Sequence, residues 1–96
     1  MRPSVKLELN REILREAIGR YPVTNPRVFG SVLSGTDNDE SDLDLLVDAQ
    51  PGVTLFDLGG LKEDLETLLG LQVDLRTPAD LPPNFRAKVL AEAQPL

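Results

Sequence analysis

The sequence predicts an α+β fold, a small mixed sheet with helices packed on one face. Segments with apolar residues at helical spacing are interleaved with short segments in which apolar and polar residues alternate. The order is helix, strand, turn, strand, helix, strand, helix. Because the loop between the first two strands is too short for a crossover helix, we expect them to be antiparallel. The 96 residues suffice for one domain, residues 1–96, with one modest core.

The first helix is predicted over residues 5–20, where Gly19 and the pair Tyr21-Pro22 end it. Its apolar residues recur at helical spacing. They are Leu9, Ile13, Leu14, Ala17 and Ile18. Pro26 then opens a short strand that runs through Phe29.

One helical turn over residues 31–34 and a polar loop over residues 36–41 lead into the second strand, residues 42–49. Its apolar and acidic residues alternate, which indicates a strand with one buried face. Leu43, Leu45 and Val47 are expected to face the core, and Asp42, Asp44 and Asp48 the opposite side.

The second long helix is predicted from the cap residue Thr54 to Gly70. Its apolar stripe consists of Leu58, Leu61, Leu65, Leu68 and Leu69. The pair Gly59-Gly60 lies inside this helix, where each glycine costs roughly 1 kcal/mol relative to alanine. Either close packing of the backbone on the sheet or a flat patch for a partner would explain the pair.

The third strand is predicted over residues 71–76, with Val73 inward and Asp74 and Arg76 outward. A final helix follows, with Asp80 as its cap and Pro82-Pro83 in its first turn. Its narrow apolar face consists of Phe85, Val89 and Leu90.

Composition excludes several classes of site. The chain has no cysteine and no histidine, which excludes disulfides, thiolate or His-based metal sites and histidine general bases. A metal site must therefore use oxygen ligands, which suit magnesium, manganese or calcium. No apolar run is long enough to span a membrane, and the first residues lack the apolar core of a signal peptide. We therefore expect a cytoplasmic protein.

The charge distribution indicates how an anion could bind. The net charge is −6, which argues against broad binding to nucleic acids because that needs a basic surface. No Lys or Arg occurs between Arg27 and Lys62, whereas seven acidic residues do. A phosphate-rich ligand in this region would need cations and backbone N–H groups to neutralise it.

Two aspartates on one strand face indicate a metal site. Asp42 and Asp44 are expected to lie about 6–7 Å apart. At that distance they repel each other by about 2–3 kcal/mol at an effective dielectric near 20, and a divalent cation between them reverses the sign. Asp74 on the next strand can complete a triad that holds two metal ions for phosphoryl displacement. Arg76, on the same face as Asp74, could pair with it or contact a phosphate.

Gly30 and Ser31 precede the aspartates by a fixed interval, since Ser31 lies eleven residues before Asp42. Backbone N–H groups and the hydroxyl can bind a phosphate, and glycine lets the phosphate approach the backbone closely. Ser31 could instead only cap a short helix, and Gly30 could be an ordinary turn glycine.

These motifs resemble those of the minimal nucleotidyltransferases (MNT) of the DNA polymerase β superfamily. The likeness lies in Val28-Phe-Gly-Ser31, Gly35 and the segment from Ser41 to Val47, and it implies the polymerase-β-like fold. It also implies metal ligation and catalysis by Asp42, Asp44 and Asp74, nucleotide binding by Gly30 and Ser31, Mg²⁺ or Mn²⁺ as cofactor and ATP as substrate. Many members carry a basic residue at positions equivalent to 32–34, whereas this segment is uncharged here.

The resemblance further implies a function in a toxin–antitoxin pair. Short single-domain members are found beside a small helical HEPN toxin and transfer AMP from ATP to one of its tyrosines, which silences its RNase activity. Two other functions are open. The chain could neutralise its partner by binding alone, or it could modify a small molecule or an RNA end.

Overall fold

The computed structural model describes all residues from 1 to 96. Four α-helices and four strands follow one another along the chain. The helices are α1 (Pro3–Ile18), α2 (Ser31–Ser34), α3 (Leu55–Leu69) and α4 (Pro83–Glu92). The strands are β1 (Val23–Phe29), β2 (Leu43–Ala49), β3 (Val73–Arg76) and β4 (Gln94–Pro95), and a 3₁₀ turn spans Pro78–Asp80.

The four strands form one mixed sheet in the order β3-β2-β1-β4. β1 is antiparallel to β2 and to β4, whereas β2 and β3 are parallel and joined through α3. This confirms the predicted α+β fold with a mixed sheet, including the antiparallel first pair. None of the helices has both the length and the apolar character needed to cross a bilayer.

The main core lies between the sheet and the pair α1 and α3. It is a cluster of 14 buried residues, to which β2 contributes the three predicted inward residues, all fully buried. The helices contribute most of the others. They include Leu7, Leu14, Ala17 and Ile18 from α1 and Leu61, Leu65 and Leu69 from α3. This packing leaves the opposite face of the sheet for the aspartates.

In α1, the prediction of the buried face was partly wrong. Leu9 and Ile13, expected in the core, are 68% and 50% exposed. Leu14, Ala17 and Ile18 of the predicted set are buried. They are joined by Leu7, which lies two helical turns before Leu14 on the same face. The helix therefore carries a second apolar stripe that faces outward.

The predicted ends of α3 are confirmed. Thr54 accepts a hydrogen bond from the Asp57 N–H, the Asp57 carboxylate accepts one from the Thr54 N–H, and Gly70 ends the helix in the left-handed conformation. Within α3, a Cβ on Gly60 would lie 3.4 Å from the Tyr21 hydroxyl, whereas one on Gly59 would meet nothing. Gly60 thus packs on Tyr21, and the predicted close approach to the sheet is not found.

The C-terminal segment departs most from the prediction. Asp80 does not cap the last helix, because its carboxylate accepts hydrogen bonds from the N–H and hydroxyl of Thr77 and so closes the 3₁₀ turn. α4 begins at Pro83 without a side-chain cap and buries none of its residues. The short strand β4, which the sequence did not indicate, pairs with β1 and is followed by the buried Leu96.

Two smaller differences concern the sheet. β1 begins at Val23, earlier than the predicted Pro26, with an irregularity between Thr24 and Arg27 where Asn25 has a positive φ of 54°. Leu46, on the outward face of β2, is fully buried outside the main core cluster. The outward face is therefore not wholly open to solvent.

Candidate active site

The sheet brings the three predicted aspartates to one face. Asp44 and Asp74 lie side by side in the parallel register of β2 and β3, and Asp42 comes just before β2 begins. Since Leu43 and Leu45 point into the core, Asp42 and Asp44 point away from it. Asp44 and Asp74 are half-buried, and Asp42 is exposed.

The Asp44 carboxyl is the electrostatically strained group of this face. Burial first, and then the neighbouring charges of Asp74 and Asp42, raise its pKa from 3.8 to about 6, against a smaller opposing effect of Arg76. Ionisation of Asp44 therefore costs more than that of an isolated aspartate, and a nearby positive charge would offset this cost. A divalent cation with a preference for carboxylate oxygens would supply that charge.

Asp74 is held by an arginine. The Arg76 Nε donates a hydrogen bond of 3.0 Å to Asp74 Oδ1, and this contact is the main cause of a raised Arg76 pKa. The sequence left open whether Arg76 pairs with Asp74 or contacts a phosphate. In the structure it forms the ion pair with Asp74. No three acidic side chains surround a common point. The donor set is chemically suited to Mg²⁺ or Mn²⁺, and Arg76 engages only Oδ1 of the Asp74 carboxylate.

Gly30 lies directly against the Asp44 carboxylate. A Cβ on Gly30 would lie 2.1 Å from Asp44 Oδ2, and the backbone has φ 76° and ψ −149°, a conformation that only glycine adopts readily. The sequence predicted that Gly30 lets a phosphate approach. The structure shows that this glycine also leaves room for Asp44. The sequence alone could not indicate this contact, because it depends on the register of β1 and β2.

Ser31 is the first residue of α2, immediately after Gly30. Its carbonyl accepts hydrogen bonds from the Ser34 hydroxyl and the Thr36 N–H, whereas its own hydroxyl makes no hydrogen bond. The side chain is half-buried beside the carboxylate face. The Ser31 hydroxyl is thus available to a ligand.

A cavity of about 550 Å³ begins at Gly30 and lies between α2 and α4. Its lining residues come from the end of β1 and from these two helices, and none of the three aspartates is among them. They are Phe29, Gly30, Leu33, Ser34, Phe85, Lys88, Val89 and Glu92. No pattern in the sequence indicated this cavity, because its walls lie more than fifty positions apart in the chain.

Two other acidic residues of the central segment are engaged elsewhere. Asp48 pairs with Arg27, and Asp37 is buried and accepts a hydrogen bond from the Ser4 N–H at the start of α1. These two carboxylates have structural partners, which leaves Asp42, Asp44 and Asp74 as the candidate metal ligands of this face.

Comparison with known proteins points to one family. The sequence profile described as "Nucleotidyltransferase domain" matches residues 10–96. Protein adenylyltransferase MntA of Thermococcus cleftensis is 38% identical over 86 residues, which cover 90% of this chain and 84% of the relative.

Solved structures agree with the sequence comparison. A proposed minimal nucleotidyltransferase superposes with a TM-score of 0.86 at 43% identity, covering 97% of this chain and 95% of the other. A toxin–antitoxin crystal structure with AMP-PNP superposes with a TM-score of 0.69 at 22% identity, covering 97% of this chain and 71% of the other. The second match shows a shared fold only.

Proposed function

Because this chain belongs to the nucleotidyltransferase domain family, we propose that it is a magnesium-dependent protein adenylyltransferase that transfers AMP from ATP to a tyrosine of a partner toxin. The observation that carries this proposal is the juxtaposition of Gly30 and the Asp44 carboxylate, beside Asp74 on the adjacent strand. It places a candidate phosphate-binding turn against candidate metal ligands, the two components that nucleotidyl transfer requires.

Asp42, Asp44 and Asp74 are the residues that would hold Mg²⁺ or Mn²⁺. Support comes from the raised pKa of Asp44, which reflects a partly buried carboxyl beside two others. When bound, such a metal stabilises the charge that develops on phosphate oxygens and lowers the pKa of an attacking hydroxyl. Calcium would also suit the ligands, and magnesium or manganese is the metal that the resemblance to minimal nucleotidyltransferases implies.

Gly30 and Ser31 would bind the triphosphate of ATP. The amide groups at the start of α2 have no partners within the helix, and the Ser31 hydroxyl is free. Together they orient the nucleotide so that its α-phosphorus lies near the aspartates. No Lys or Arg lies between Arg27 and Lys62. The metal ions and backbone N–H groups would therefore neutralise most of the triphosphate charge.

The transfer itself is a displacement at phosphorus. The tyrosine oxygen bonds to the α-phosphorus, the bond from that phosphorus to the bridging oxygen breaks, and pyrophosphate leaves. We assign acceptance of the hydroxyl proton to a carboxylate of the aspartate cluster, since the chain has no histidine. Positioning and electrostatics supply most of the catalysis in such reactions.

We propose a HEPN-family protein as the acceptor. The relative MntA is a protein adenylyltransferase, and a toxin–antitoxin complex with AMP-PNP has the same fold. A protein acceptor also fits the charge of the chain, because the acidic central segment repels an RNA end.

Co-expression with a HEPN-like protein, where the neighbouring reading frame encodes one, tests the proposal. The intact mass of the partner should increase by one or more AMP groups, and Asp44→Asn should abolish the increase. Lys62→Gln, on the exposed side of α3, is the matched control and should leave it unchanged. A stable complex with an unmodified partner whose RNase activity is blocked would refute the enzyme and favour neutralisation by binding alone.

A further inference from the structure

A triphosphate near Gly30 lacks an obvious basic partner. Residues 32–34 are uncharged. Arg27 pairs with Asp48, and Arg76 pairs with Asp74. The basic side chains nearest to the aspartate face in sequence are therefore already neutralised by carboxylates.

Of the ten Lys and Arg residues, one has neither a hydrogen bond nor a carboxylate partner. Eight form ion pairs with carboxylates or donate hydrogen bonds to backbone carbonyls. These eight are Lys6, Arg11, Arg15, Arg20, Arg27, Lys62, Arg76 and Arg86. Of the other two, Arg2 lies near Asp37 and lowers the pKa of that carboxyl. Lys88 makes neither an ion pair nor a hydrogen bond.

Lys88 lies in the wall of the cavity that begins at Gly30. The wall on the α2 side includes Gly30 and Ser34, and the wall on the α4 side includes Lys88. Glu92, one turn further along α4, lines the same cavity but forms no ion pair with Lys88. A cavity of about 550 Å³ is within the range of small-molecule sites.

The remaining walls of the cavity carry no charge. They are the apolar side chains Phe29, Leu33, Phe85 and Val89. Lys88 is itself exposed, so a ligand can reach its ammonium from solvent.

We propose that Lys88 binds the polyphosphate of the nucleotide from across this cavity and supplies from α4 the positive charge that residues 32–34 lack. This rests on the proposed function. It assigns α4 a direct part in nucleotide binding, with the phosphate groups held between the α2 turn on one side and the Lys88 ammonium on the other.

Calorimetry with Mg²⁺ and ATP, AMP or adenosine on four proteins tests this assignment. These are the wild type, Lys88→Gln, Lys88→Arg and the control Lys62→Gln. Lys88→Gln should weaken ATP binding about ten-fold, the usual effect of losing one charge-assisted hydrogen bond, with a smaller loss for AMP and none for adenosine. Lys88→Arg should retain most of the affinity, and Lys62→Gln all of it. Thermal melts confirm that each variant is folded.

Unchanged ATP affinity in Lys88→Gln, or an equal loss for ATP and adenosine, would overturn the assignment of Lys88. Wild-type binding of ATP together with a partner that gains no AMP would refute the adenylyltransferase and leave the Lys88 contact in place. A wild-type protein that binds no ATP in the presence of Mg²⁺ would overturn both.

Discussion

The contact between Gly30 and Asp44 fixes the position of the most perturbed carboxyl in the chain. The absence of a side chain at Gly30 lets Asp44 Oδ2 occupy space that a Cβ would fill. The sequence indicated both residues, since Gly-Ser and Asp-Leu-Asp are local patterns. It could not indicate their contact, which depends on the antiparallel register that places Asp44 opposite Phe29.

Gly30→Ala should therefore destabilise the protein by about 3 kcal/mol, because a backbone conformation with φ 76° and ψ −149°, which favours glycine, and a steric overlap both oppose the methyl group. Gly35→Ala is the comparison variant. Gly35 has the same φ of 76° but a ψ of 18°, and nothing lies within 4 Å of an added Cβ, so only a backbone cost of about 1 kcal/mol is expected. Urea unfolding measures both. An equal decrease in the free energy of unfolding for the two variants would contradict a specific contact between Gly30 and Asp44.

Asp44→Asn should stabilise the metal-free protein at neutral pH. The pKa of Asp44 in the folded protein, about 6, lies above its ordinary value of 3.8, so the folded state binds the proton more tightly. The stability that this proton contributes is complete below pH 4 and is lost as the pH rises through about 6. Replacing the carboxylate by an amide should recover about 1–2 kcal/mol above pH 7, after allowance for screening of a half-buried group.

Thermal melts in EDTA at about pH 4 and pH 7.5 check this prediction. The melting temperature of Asp44→Asn should exceed that of the wild type at the higher pH and equal it at the lower pH. A large fall in melting temperature at either pH would mean that Asp44 has a structural part in the fold, contrary to the metal-ligand assignment.

Among the helices and strands, those with strong local signals were predicted well. Periodicity identifies β2 by its alternation and α3 by its leucine stripe and caps, although Leu46 on the other face of β2 is also buried and Leu68 of the stripe is exposed. The short strand β4 has no such signal, because its pairing with β1 joins residues far apart in the chain and includes Pro95. Asp80 was assigned to the wrong helix because Thr77, three residues earlier, competes successfully for its carboxylate.

The start of α1 depends on a distant carboxylate. Asp37 is buried and accepts a hydrogen bond of 2.9 Å from the Ser4 N–H, which has no partner within the helix. Asp37→Ala should cost about 1–2 kcal/mol at neutral pH, the usual range for a lost helix cap. Asp39→Ala, at a mostly exposed side chain two residues further on, should cost little.

The effect of Asp37→Ala should depend on pH. Hydrogen bonds from Ser4 are the main cause of a lowered Asp37 pKa, so the stability that the carboxylate contributes is present above its ordinary pKa of 3.8 and is lost as the pH falls through the lower folded-state value. The difference between wild type and Asp37→Ala should shrink in strong acid. A constant difference from neutral to strongly acidic pH in urea unfolding would contradict this assignment.

Across the whole molecule, negative charge dominates and nearly every cation is engaged. The net charge is −6, and the central segment has no basic residue. ATP should therefore bind much more weakly in EDTA than with Mg²⁺, since Lys88 alone cannot neutralise a triphosphate beside three aspartates. Calorimetry in both conditions measures the difference. Equal affinities would contradict a role for the metal in nucleotide binding.

Transfer of label from ATP to the purified HEPN-family partner most directly tests the proposed adenylyl transfer. With Mg²⁺, label in the α-phosphate should appear on the partner, whereas label in the γ-phosphate should be released as pyrophosphate. EDTA and Asp44→Asn should each abolish the transfer, and Lys62→Gln should not. Transfer of the γ-label, or no transfer from either position by a folded protein that binds ATP, would contradict protein adenylylation at this site.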